Sequence, residues 1–251
     1  THDSKGDPLE DDDQMVELFS QDLILSRAAI PLLTRTAQYV DDLLTRFYDK
    51  EPYYGVHDAD DLIGQLVVGL APHTSGGVLG RIIGWTRASA SFAHPLFHAA
   101  KRRNCDGDED CVMLLLDGLL NFSRLILPDR RGGLMDAPLV LTTRINPKEI
   151  DSEAHNVDAA WFYPAEFYRF TEQHSHPKEL GEMMDIVERR LGTSLAERDI
   201  GYTHESRQID QAPAASSYKT LKTMRDKLDG QLRLGKKLRG VSERDVASSV
   251  I

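Results

Sequence analysis

From Pro72 to Pro147 the chain carries its apolar residues in short runs broken by many glycines. Short apolar runs bounded by turn residues read as strands, so this stretch suits a compact β-rich unit with one helix. Strands are expected at Gly80–Ser89, Pro95–Lys101, Val112–Leu116 and Ala137–Ile145, and the helix at Asp117–Leu127, ended by Pro128. On both sides the texture turns helical. Gln14–Lys50 reads as helix divided by Pro31, and Asp58–Leu70 as a shorter helix with Asp58 as its N-cap. Further helices are expected around Ser152–Ala160, Ala165–Gln173, Pro177–Leu191 and Ser217–Leu238, with Gln211–Ser217 as a linker. The fold class is therefore mixed α/β (α+β), in three parts: an acidic start and helical segment over 1–52, a β-rich region over 53–150, and a helical region with a basic C-terminal tract over 151–251.

Inside the β-rich region the chain reads KRRNCDGDEDCVMLLL from Lys101 onward. Asn104, Asp106, Asp108 and Asp110 fall at every second residue. In extended chain such side chains leave the same side, roughly 6–7 Å apart per two-residue step. A slight bend, eased by Gly107, would aim several oxygens at one point. Hard divalent cations such as Mg²⁺ take few carboxylates and complete their shell with water and phosphate oxygens. Lys101, Arg102 and Arg103 add positive charge beside the same place, as a polyanionic substrate requires. The pattern reads as a phosphoryl- or nucleotidyl-transfer site, against the alternative of a solvated acidic turn. An EF-hand fails because its sixth position would be Cys111 instead of glycine. A zinc site on His94 and His98 fails because Pro95 follows the first and no HExxH exists.

The net charge of −10 speaks weakly against a freely sliding nucleic-acid binder, but charge is unevenly spread. Acids crowd the start, and Lys219, Lys222, Arg225, Lys227, Arg233, Lys236, Lys237, Arg239 and Arg244 crowd the end. That tract reads as a track for duplex phosphates or as a solvated helix. No apolar run approaches membrane-span length and no signal peptide opens the chain. With Thr1 first, a processed product or a piece of something longer is expected. Cys105 and Cys111 are too few for a four-Cys zinc site and read as reduced thiols.

Four blocks then carry a resemblance: HTSGGVLGRIIGWT from His73, the stretch from His94 to Asp110, Leu114 to Thr142, and FYPAEFYRFT from Phe162. In content and order they closely resemble the catalytic region of the large subunit of archaeal DNA polymerase D. The resemblance implies a replicative DNA-directed DNA polymerase, with a core similar to that of multisubunit RNA polymerases: two double-psi β-barrels facing each other across the active site. This chain would hold a partial barrel around 70–147. Asp106 and Asp108 would bind the metal of a two-Mg²⁺ site, Asn104 would orient the loop or a sugar hydroxyl, and Asp110 is a candidate third acid. Implied partners are primer–template DNA, dNTPs, a small subunit carrying the 3′→5′ exonuclease, and the remainder of the large subunit with its companion barrel. The implied location is cytoplasmic, with the nucleoid.

Other candidates keep two readings each. His73 opens either a phosphate-cradling loop or a tight turn, and Arg81 reaches nucleotide or DNA, or pairs with a core acid. Arg130 and Arg131 suit DNA backbone contacts or a surface turn. Tyr163, Phe167, Tyr168 and Phe170 suit base stacking or, more strongly, helix packing. Two rival functions share these features: an RNA polymerase largest subunit, and a non-catalytic interaction module.

Overall fold

The computed structural model describes residues 8–10, 14, 17–71, 74–101, 110–121, 140–150, 155–201, 220–238 and 241–250. The elements are β1 (Asp22–Ser26), α1 (Ile30–Arg46), β2 (Leu66–Leu70), β3 (Gly76–Thr86), β4 (Phe92–Ala93), α2 (Pro95–Ala100), β5 (Cys111–Leu114), α3 (Leu115–Asn121) and β6 (Val140–Thr142). After them come α4 (Ala165–Glu172), α5 (Pro177–Leu180), α6 (Val187–Arg190), α7 (Met224–Lys237) and α8 (Glu243–Val250). The expected mixed α/β class holds, in the form of an open sheet with helices.

Strand β3 organises that sheet. The order is β4-β1-β3-β2-β5, with β6 also on β3. Gly77 and Val78 pair with Leu70 and Gly69 of β2 on one side and with Leu141 and Thr142 of β6 on the other. Further along, Arg81 to Thr86 run parallel to Asp22 to Ser26 of β1. Leu23, Leu33, Val40, Leu62, Val67, Ile82, Leu96, Leu114, Ile145 and Val187 belong to one buried apolar cluster, so sheet, α1, α2 and the later helical region share a core.

Several expected elements are corrected. Asp22–Ser26 is a strand where helix was expected, because Leu23 and Leu25 turn inward at a two-residue period and pair against β3. Pro31 does not divide a helix; it lies in the first turn of α1, where a missing N–H costs nothing. Asp58 does cap, its Oδ1 accepting from the N–H of Asp60 and Asp61, but the turn stops at Gly64, whose φ is +87°. Leu66–Leu70 then becomes β2, with Val67, Val68, Gly69 and Leu70 all buried. Pro95–Lys101, expected as strand, is helix α2. Residues 155–160 form a turn and extended chain with an Asp158–Ile186 bridge instead of a helix. Pro177–Leu191 is broken into α5, a 3-10 turn at Gly181–Met183, and α6. Helix α4 matches its expectation, and α7 lies inside the range expected for the basic helix.

Candidate active site

Asn104, Asp106 and Asp108 lie outside the described residues, as do His73, Arg102, Arg103, Arg130, Arg131 and Cys105. What the structure gives is the frame on each side of the acidic stretch. Lys101 closes α2 before it, and Asp110 leads directly into β5 after it.

Helix α2 starts where it does because of His94. Its Nδ1 accepts the Leu96 N–H at 3.1 Å, which makes His94 the N-cap, and Pro95 takes the first helical position. The other ring nitrogen, Nε2, stands 3.1 Å from the Glu197 carbonyl oxygen. A nitrogen that accepts cannot carry the proton, so the geometry selects the Nε2–H tautomer, which donates to Glu197. Burial holds the His94 pKa below the usual imidazole range. Ser20 donates to the Glu197 carboxylate at 2.9 Å, so the same residue also ties down the chain entering β1.

The helix lies close on the sheet through Phe97. A Cβ on Gly69 would come within 2.8 Å of the Phe97 ring. One on Gly80 would meet Leu23 at 2.7 Å and Phe97 at 3.1 Å. Gly69 faces Val78 and Gly80 faces Val67, so the two glycines sit on one face of adjoining strands and form the seat for the ring. His98, on the same helix, is pushed down to about 4 by burial first, then by the Lys101 charge and by His94. It is a neutral group at ordinary pH.

Lys101 is only 4% exposed. Its stem passes Gly69, its ammonium stands 5.2 Å from the Phe97 ring centre, and it forms an ion pair with Asp110. Sequence reasoning grouped Lys101 with Arg102 and Arg103 as charge facing a polyanion; the structure brings it instead into the protein, against the far end of the acidic stretch. Arg81 shows the second of its two readings: its guanidinium, half exposed, meets the buried Asp22 carboxylate at 2.9 Å. Tyr163 and Phe167 stack at 4.1 Å and Phe167 meets Tyr168 edge-on at 5.5 Å. On and just before α7, Lys222, Arg225, Lys227, Arg233, Lys236 and Lys237 are exposed. Among the described residues no group of three His, Cys, Asp or Glu side chains is placed to hold a metal, and no helix is long and apolar enough to cross a membrane.

Missed from sequence were His94 as cap and anchor, the glycine seat, and the burial of Lys101. Gly80, in a predicted strand, was the available signal, since strand glycines mark close approach; Gly69 lay inside the helix expected over Asp58–Leu70.

A capped helix before the acidic sequence and a strand after it, both on one mixed sheet, frame the candidate site, and comparison with known proteins gives the family. The family model described as DNA polymerase II large subunit DP2, catalytic domain, matches residues 1–227. The chain belongs to this family of DNA polymerase II large subunits. It is 58% identical over 246 residues to the DNA polymerase II large subunit of Methanosarcina barkeri, covering 98% of this chain and 22% of that protein. With the corresponding subunit of Natronomonas pharaonis it is 53% identical over 249 residues, covering 99% of this chain and 21% of that protein. The chain thus spans about a fifth of the length of these relatives. The resemblance carried by the four sequence blocks is confirmed.

Proposed function

We propose that this chain supplies part of the catalytic centre of a replicative DNA-directed DNA polymerase, which adds dNTPs to a primer 3′-hydroxyl. The observation that carries the reading is the match to a polymerase catalytic-domain family across 1–227, a span that contains the acidic stretch. The donor set fits Mg²⁺, since Asn104, Asp106, Asp108 and Asp110 offer only hard oxygens. Asp106 and Asp108 would hold the ions, and Asn104 would orient the stretch or a sugar hydroxyl. Bound Mg²⁺ would supply charge offset at the attacking primer oxygen and at the departing pyrophosphate. The chain's own part is to hold those carboxylates in place through α2 and β5, and to present positive charge to phosphates.

On this reading the open sheet is part of a double-psi β-barrel, whose companion lies elsewhere in the large subunit. Partners are primer–template DNA, dNTPs and a small subunit bearing a 3′→5′ exonuclease, and the assembly works in the cytoplasm at the nucleoid. The exposed basic residues of α7 suit contacts to the DNA backbone. The test is Asp106→Ala/Asp108→Ala in the assembled polymerase. Primer extension is expected to fall on the order of a thousandfold or more, with primer–template binding kept. Extension at the unmodified rate would overturn the reading and favour the interaction-module alternative.

A further inference from the structure

We propose that the outer side of α1, with the turn that follows it, is the seat of an apolar, basic-rimmed segment of the large subunit lying outside this chain. The proposal rests on the reading that the chain works inside a full-length large subunit, and on no property of the acidic stretch. Helix α1 carries two apolar rows. Leu33, Ala37 and Val40 are buried in the common core. Leu32, Tyr39, Leu43 and Phe47 recur at helical spacing beside them, yet Leu32 is 60% exposed, Tyr39 56% and Phe47 75%. Exposed apolar residues scattered singly need no explanation, but a row continued by exposed Tyr48 and Tyr53 does.

These rings are held in place. Asp49, at φ +52°, ends the helix, and the Lys50 N–H returns to the Leu44 carbonyl oxygen, with Phe47 edge-on to Tyr48 at 5.0 Å. The Asp41 carboxylate accepts from the N–H groups of Tyr53, Tyr54 and Gly55 at 2.8 to 2.9 Å, which ties the Tyr53 loop to the helix. A fixed aromatic row loses little freedom on docking, and aromatic residues are enriched at interface centres. Charge selects the occupant. On the helix and turn Asp42, Asp49 and Glu51 are exposed, and exposed Asp58, Asp60 and Asp61 follow; Arg46 and Lys50 are the only Arg or Lys between Tyr39 and Asp61. Arg46 is itself paired with Asp42 at 3.2 Å. Such a rim repels phosphates and a second copy of itself, and fits lysines and arginines. About four fifths of the length of the relatives lies outside the matched span, so the covering segment is found in the same polypeptide, where tethering raises its effective concentration.

Photo-crosslinking in the full-length large subunit tests this, with p-benzoylphenylalanine in place of Tyr39 or Phe47 and the products mapped by mass spectrometry. Both positions are expected to cross-link, without small subunit or DNA present, to large-subunit peptides outside this chain that carry Lys or Arg. Cross-links that need the small subunit or primer–template, that join two copies, or that stay within this chain overturn the proposal, and so does the absence of any. If the probe at 39 or 47 prevents folding, it is placed at Tyr53, 65% exposed, with the same outcomes. Glu51→Lys is expected to lower the cross-link yield from Phe47 about threefold at low salt, and an unchanged yield overturns the charge match. Primer extension by the assembled polymerase reads the functional assignment separately: extension retained without any cross-link overturns the interface and leaves that assignment standing.

Discussion

His98 and His94 are both harder to protonate in the folded chain than in the unfolded one, chiefly because burial opposes the charged form. A base with a lowered folded pKa contributes stability that is present above its unfolded value and lost as pH falls. For His98 the drop from 6.5 to about 4 sets the window, and corresponds to about 3 kcal/mol at most. Denaturation midpoints should therefore be flat above neutrality and decline steadily from about pH 6.5 towards pH 4. Replacement by a group that does not titrate, His98→Leu, should flatten that decline; an unaltered slope in the variant would remove His98 as its cause. The residue scale is also where the sequence was least legible. Lys101 and its two arginine neighbours look alike in a string of letters, and only the fold separates the one that turns inward. His94 was equally hidden, because histidine is outside the usual set of helix caps and its second partner is 103 positions away.

At the scale of elements, Gly69 and Gly80 make the contact between α2 and the sheet possible. Gly69→Ala would drive a methyl within 2.8 Å of a ring that is only 2% exposed and has nowhere to move. The expected cost is about 1–3 kcal/mol, read as a lowered thermal midpoint, and Phe97→Leu in the same chain should return part of it. A midpoint within error of the unmodified chain would show that the seat is not tight. Elements with a long, consistent pattern were legible: β3 from its apolar run, α4 and α7 from helical spacing. Those misread were short. DLILS in β1 and PLFHAA in α2 contain too few residues for a period to declare itself, and each is settled by what it packs on. The family was legible from the blocks around the acidic stretch, while 102–109 of the stretch itself lie outside the described residues.

At the scale of the whole molecule, this chain is about a fifth of the proteins it resembles, and the barrel that would face its site is sought elsewhere in the large subunit. The isolated 251-residue chain is accordingly expected to show no primer extension with Mg²⁺ and dNTPs, while the assembled polymerase does; robust extension by the chain alone would place the whole centre within it. Within the chain, distant parts are joined by a few polar ties. Arg190, buried, binds the Asp185 carboxylate and the carbonyl oxygens of Arg198 and Asp199, which fixes the segment that presents Glu197 to His94. That last tie has a consequence for the order in which the protein is made. As the chain leaves the ribosome, β1, β2 and β3 can pair and α2 can seat its phenylalanine early, but the outer nitrogen of His94 must wait until residue 197 has been synthesised. The outer tie of the helix leading into the acidic stretch is thus one that the growing chain cannot make until 103 further residues have followed His94.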